Sequence, residues 1–205
     1  NIEINGEKVE QVKEIKYLGP MIRNEGDLTK EIEKRISSAT RLYLALTKSI
    51  IGRKEVSRKT KMTIFKTIYR PTLIHGSESW VLNDPLRSRM QVIEMKYLRR
   101  VQGLTRRDEI PNEIIRKELE IDPVLQVIEN QRLKWFGYLI RMSEQRPTKR
   151  VWEPRIISNR KRDRPKLTCN DEMAKILRKR NQEWDRAKSI GKNKREWNKM
   201  VYWDA

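Results

Sequence analysis

The 205-residue chain carries 47 Lys and Arg against 28 Asp and Glu, a formal net charge of +19, which makes a polyanion the first physical expectation for a partner. Hydrophobic residues make up 37% and charged residues another 37%, a mixture poor in core material and enough for one large or two small domains. Cys169 and His75 are the only residues of their kind, which excludes an intrachain disulfide and a zinc knuckle or finger; with no apolar run of about 18 residues and no signal-peptide pattern, the chain reads as intracellular, nuclear or cytoplasmic.

Residues 1–22 read as a small β element. Ile2-Glu3-Ile4 and Glu7-Lys8-Val9 flank Asn5-Gly6, the pair favoured in a two-residue hairpin turn. A second extended piece alternates Ile15 and Tyr17 with Lys16 and ends at Leu18-Gly19-Pro20. Hairpins of this size are marginal alone, so this element must lean on the helices that follow or on a sheet outside the chain. The chain begins with Asn1 rather than methionine and enters straight into a strand, as expected of a piece of a longer protein.

The first predicted helix starts at Asp27 or Thr29, either able to cap it, with Glu31 and Glu33 at the positive end of its dipole. Ile32, Ile36, Ala39, Tyr43, Leu46 and Ile50 form an apolar seam that stops at Gly52. Lys30, Lys34, Arg41 and Lys48 fall about 180° from that seam, as an outward cationic ridge. Ser57 caps a second helix with Met62, Phe65, Ile68 and Tyr69 inward and Lys59, Thr63, Lys66 and Arg70 on another face, ended or kinked by Pro71. Asn83-Asp84-Pro85 opens a third helix over about 85–102, burying Leu86, Met90, Ile93, Tyr97 and Val101 before Gly103.

A shorter helix is predicted over 112–120, and Asp122-Pro123 opens a long, mostly buried one. Its wheel places Val124, Ile128, Trp135, Leu139 and Met142 on one face and Leu133, Phe136 and Ile140 on a second flank, leaving Lys134, Gly137 and Arg141 to water. Gly137 permits close helix packing, the simpler reading, or lets a phosphate approach between two cations. Residues 143–170, with Pro147, Pro154 and Pro165 among many charges, read as an extended basic linker. A helix over about 171–188 uses Met173, Ile176, Leu177 and Trp184, and a last one over 194–203 uses Trp197, Val201 and Trp203. The expected fold is therefore mainly α, with a small N-terminal β-hairpin, a basic linker and C-terminal helices.

Catalytic chemistry finds little footing. Two-metal phosphoryl transfer needs clustered carboxylates, and the adjacent acids Asp108-Glu109 and Asp171-Glu172 read as helix caps. His75 sits in a turn with Gly76, Ser77 and Glu78 and is expected to pack or hydrogen-bond, and no phosphate-binding glycine loop appears. No catalytic residue, metal ligand or cofactor site is expected within the chain. Nucleic-acid binding asks less, because cations at backbone spacing supply affinity by releasing counterions. The ridge of Lys30, Lys34, Arg41 and Lys48, with Lys59, Lys66 and Arg70 on the neighbouring helix, meets that demand if the two helices pack side by side. Arg160, Lys161, Arg162, Arg164 and Lys166 in the linker read as a nuclear-import patch or a phosphate-contacting arm.

Five segments carry a family resemblance: Lys16-Tyr17-Leu18-Gly19; Glu31-Ile32-Glu33-Lys34-Arg35-Ile36; Tyr69-Arg70-Pro71-Thr72-Leu73-Ile74-His75-Gly76-Ser77-Glu78-Ser79-Trp80; Glu94-Met95-Lys96-Tyr97-Leu98-Arg99-Arg100; and the run from Arg132 to Met142. In this order they resemble the region after the catalytic palm in reverse transcriptases of LINE-type, non-LTR retrotransposons. The resemblance implies that residues 1–22 are similar to the end of the palm, with Tyr17, Leu18 and Gly19 at the primer grip. It implies a thumb-like helical bundle over 23–104, a helical C-terminal connection over 105–142, the basic linker over 143–170 and C-terminal helices over 171–205. The chain departs from the family at Gly137-Tyr138, where Gly-His is usual, and at Asp163-Arg164-Pro165 and Cys169, where a Gly-Arg-Pro and a tryptophan are usual.

The implied partners are RNA and DNA, as an RNA–DNA hybrid or template–primer duplex, together with the parent palm. That palm would hold Mg2+ for the RNA-directed DNA polymerase through residues absent here, so this chain alone is expected to be inactive. Two rival readings stand beside this one: a freestanding basic helical RNA- or DNA-binding module, and an inactive structural or interaction remnant of a transposable element.

Overall fold

Alternation at the N-terminus gives two short antiparallel hairpins rather than one. In this computed structural model, which describes residues 3–4, 7–8, 10, 12–16, 19–23, 28–152 and 168–203, β1 (Glu3–Ile4) pairs with β2 (Glu7–Lys8), Ile4 opposite Glu7. Then β3 (Glu14–Lys16) pairs with β4 (Met21–Arg23), Ile15 opposite Ile22. The extended piece expected to end at Leu18-Gly19-Pro20 instead turns there and returns as β4, a strand the sequence reading did not include. The second hairpin leans on the helices: the Met21 amide donates to Glu31 Oε2 at 3.0 Å, and Arg35 Nε donates to Glu31 Oε1 at 2.7 Å.

Helix α1 (Thr29–Leu46) runs into a wider π turn at Thr47–Ile51 and ends at Gly52. Its cap is Leu28, which makes no side-chain bond; Thr29 is already helical, and Asp27 lies outside the described residues. Ile32, Ile36, Ala39 and Tyr43 are buried as the seam requires, while Leu46 and Ile50 are half-buried. Ser57 caps α2 (Arg58–Ile64) by accepting from the Thr60 amide.

Pro71 does not end this helix. A π turn at Phe65–Tyr69, in which the Arg70 amide reaches back to the Phe65 carbonyl, leads into α3 (Arg70–Ile74). The five-residue reach leaves room for a proline ring that an ordinary turn would drive into a carbonyl. The extra residue also turns Ile68 outward, 49% exposed, against its expected place in the core.

Asn83 caps α4 (Asp84–Gln102) through the Leu86 amide. This helix closes at Gly103, whose φ of 75° lets the Leu104 amide reach back to the Arg99 carbonyl. After α5 (Asn112–Leu119) comes α6 (Val124–Arg141), the spine of the molecule. Val124 and Ile128 complete a first hydrophobic cluster that begins at Ile32; Leu133 and Phe136 open a second one with Met173, Ile176, Leu177, Ala187, Trp197 and Val201.

Gly137 is buried in that second cluster, not open to water. A Cβ there would lie 2.2 Å from Trp197 Nε1, and that indole donates to the Leu133 carbonyl at 2.8 Å. Close packing is thus the reason for the glycine. Trp135 is correspondingly displaced from the face first assigned to it and is 37% exposed.

The expected linker contains a helix, α7 (Pro147–Trp152), whose Lys149 is buried and donates to the Leu139 and Ile140 carbonyls at the end of α6. The expected helix over 171–188 is two, α8 (Cys169–Lys179) and α9 (Trp184–Lys192). Asn181, with φ of 53°, divides them: its amide bonds the Arg178 carbonyl and that of Gln182 the Leu177 carbonyl, which closes α8. The last helix is α10 (Lys194–Trp203). The architecture is mainly α.

Candidate nucleic-acid interface

Two helices with their apolar faces inward must turn their polar faces out. α1 and the helix through α3 pack as an antiparallel pair, the Gly19 turn between β3 and β4 lying at their shared end. A Cβ on Gly19 would lie 3.6 Å from both Arg35 Nη2 and His75 Nε2, and its φ of 107° favours glycine. His75 itself is exposed.

Lys30, Lys34, Arg41 and Lys48 are all exposed on α1 and its π turn, and Lys59 and Lys66 are exposed on the second helix. Among the described residues none of these six forms an ion pair. Arg41 makes only a long contact, 3.4 Å, with the Ser38 hydroxyl. Arg70 differs: it is half-buried and its guanidinium lies 5.8 Å from the Phe65 ring centre. Six of the seven expected residues are therefore exposed.

The acids of α1 are engaged elsewhere. Glu31 is buried beneath the hairpin, and Glu33 pairs with Arg89 of α4 at 2.9 Å. From Lys34 to Ser77 the chain carries eleven basic residues and a single acid, Glu55. That one-sidedness belongs to the whole run and shows in no single residue of the ridge. No carboxylate on α1 is left to neutralise the ridge, so its field acts outward. Lys34, Arg41 and Lys48 recur every seven residues, about 10.5 Å along a helix, against one phosphate per about 3.4 Å of strand.

Two further cations are structural. Lys61 is buried and donates to the Arg53 carbonyl at 2.7 Å, and Lys96 Nζ lies 5.0 Å from the Tyr43 ring centre. Beneath the ridge, Tyr43, Phe65, Tyr69 and Tyr97 pack ring against ring, with Tyr69 donating to the Ile93 carbonyl and Tyr97 to that of Lys61, each at 3.0 Å. The helices that carry the cations are thus packed on a hydrogen-bonded aromatic cluster.

Of the primer-grip-like residues only Gly19 is among the described residues; Tyr17 and Leu18 lie outside them, as do Arg160, Lys161, Arg162, Arg164 and Lys166. Asp108 and Asp171 each complete a capping box, with Thr105 and Thr168. Among the described residues no three His, Cys, Asp or Glu side chains converge to hold a metal ion, and no helix is long and apolar enough to cross a membrane.

No protein-family model and no solved structure matches the chain. It is 27% identical over 207 residues to an uncharacterized transposon-derived protein of Caenorhabditis elegans, a likeness covering 93% of this chain and 70% of that one. That likeness supports a transposable-element origin for the chain.

Proposed function

We propose that the chain is the part of a retrotransposon reverse transcriptase that follows the catalytic palm, and that it grips a template–primer duplex through backbone phosphates. The observation that carries the binding is the exposed row of Lys30, Lys34, Arg41 and Lys48, which forms no ion pair among the described residues, on a helix whose acids are turned elsewhere. The parentage rests on the five segments in family order, with the transposon-derived relative consistent with it. The grip supplies position and affinity without reading bases, and the polymerase chemistry belongs to a palm outside this chain.

Binding to an RNA–DNA hybrid, followed by fluorescence polarisation at several salt concentrations, tests this reading. Affinity falls with salt, and Lys34→Glu/Arg41→Glu/Lys48→Glu weakens it and flattens the log–log slope by about 0.9 for each lost phosphate contact. Full affinity in the triple variant removes the ridge from the interface. Primer extension with magnesium and nucleotides gives no product from the purified chain; incorporation, with contaminating polymerase excluded, overturns the fragment reading.

A further inference from the structure

The seating of Trp197 on Gly137 rolls α6 so that Lys134, Trp135 and Tyr138 share its exposed strip. Trp135 and Tyr138, 37% and 48% exposed, stack on each other with ring centres 5.6 Å apart and planes 25° from parallel. On the other side of the strip, Lys134 Nζ lies 4.8 Å from the ring centre of Tyr202 on α10, which is 52% exposed.

α10 extends this surface with charge. Its periodicity puts Arg195 and Lys199 on the face that carries Tyr202, and both are exposed. Neither these two nor Lys134 forms an ion pair with a described residue. Arg141, at the end of the strip, is held by the Gly191 carbonyl at 2.6 Å and is not counted. Three exposed rings and three cations that form no ion pair with a described residue thus lie on two packed helices, Lys134 resting on the Tyr202 ring.

We propose that this face binds single-stranded nucleic acid, with bases stacking on Trp135, Tyr138 and Tyr202 and phosphates meeting Lys134, Arg195 and Lys199. The pairing of chemistries selects the occupant. An acidic protein surface would use the cations and leave the rings wet, and an apolar one would use the rings and strand the cations. A single strand offers π-faces and phosphates in alternation, as an intact duplex does not. The face is separate from the α1 ridge, so this inference goes beyond the duplex grip and does not depend on it.

The test uses the full chain, a fluorescein-labelled strand of about 16 thymidylates and a labelled RNA–DNA hybrid. Trp135→Ala/Tyr138→Ala weakens binding of the single strand about tenfold or more at every salt concentration, leaves its salt slope unchanged, and leaves hybrid affinity unchanged. Trp135→Phe/Tyr138→Phe, which keeps two π-faces, holds single-strand affinity within about threefold, so a loss through misfolding is told apart from a loss of stacking. Wild-type affinity for the strand in the alanine pair, or an equal loss for strand and hybrid, overturns the proposal. So does sedimentation showing a dimer that the alanine pair abolishes, which would assign the rings to a second copy of the chain. A chain that binds the thymidylate strand through these rings but binds no hybrid would sink the duplex grip and leave this inference standing.

Discussion

Arg132 Nη1 on α6 lies 3.1 Å from Glu172 Oε2 on α8, and both side chains are almost wholly removed from water. The same guanidinium donates through Nε to the Ser77 carbonyl at 3.4 Å and through Nη2 to the Trp80 carbonyl, while Arg87 of α4 reaches the same Glu172 oxygen. Burial pushes the Arg132 pKa down, and the Glu172 carboxylate opposes that shift. One side chain therefore ties α6, α8 and the 75–80 turn together at the point where the first hydrophobic cluster gives way to the second.

Removing one partner of such a pair strands the other. Arg132→Met removes the Trp80 carbonyl's bond to Arg132, leaves the Ser77 carbonyl with the Trp80 amide at 3.2 Å, and leaves Glu172 with Arg87 and, at 3.8 Å, the exposed Lys175; the expected loss is about 3–5 kcal/mol of unfolding free energy in urea titrations. Arg132→Met/Glu172→Gln recovers part of it, with a coupling of at least about 1 kcal/mol. Strictly additive losses would mean that the pair does not act as one.

Gly137→Ala puts a methyl group where Trp197 now sits. The indole must move, its bond to the Leu133 carbonyl breaks, and the second cluster loses roughly 3 kcal/mol from overpacking and the lost bond together. The urea midpoint falls while hybrid affinity at low urea stays unchanged. An unshifted midpoint, or a change confined to nucleic-acid binding, would restore the phosphate-approach reading of this glycine.

Tyr97 provides a pH signature. Burial pushes its pKa from the ordinary 10.0 up to about 12, and burial pushes Tyr69 up as well. The folded chain thus keeps a proton that the unfolded chain gives up. The corresponding stability is complete below pH 10 and is lost as pH rises towards 12. Tyr97→Phe keeps the ring, loses about 1 kcal/mol at neutral pH with the bond to the Lys61 carbonyl, and declines less steeply over that interval. The gap between variant and parent urea midpoints therefore narrows as pH rises; a constant gap would mean that Tyr97 ionises normally.

Helices whose apolar spacing was regular were legible in the sequence: the seam from Ile32 to Tyr43, the caps at Ser57 and Asn83 and the stop at Gly103 all appear where the residue types place them. The misses share a cause, which is that the wheel assumes ideal turns and no neighbour. Ile68 left the core because a π turn adds a residue, and Trp135 left it because Trp197 needed the Gly137 side of α6. Asn181 broke a helix through a left-handed conformation that glycine more often adopts, so it read as an ordinary helical position. The exposure of Lys30, Lys34, Arg41 and Lys48 was readable because it follows from amphipathicity alone. The aromatic face was hidden, since a tryptophan in an apolar run looks like core until its neighbour is known.

α6 belongs to both hydrophobic clusters, with only four residues between Ile128 of one and Leu133 of the other. Its hydrogen-bond ladder crosses that gap unbroken, so one half cannot melt without fraying the helix that frames the other. Fluorescence from Trp80 in the first cluster and Trp197 in the second should therefore report one cooperative transition. A proline at Asn130 or Gln131 would act as a fuse, separating that transition into two.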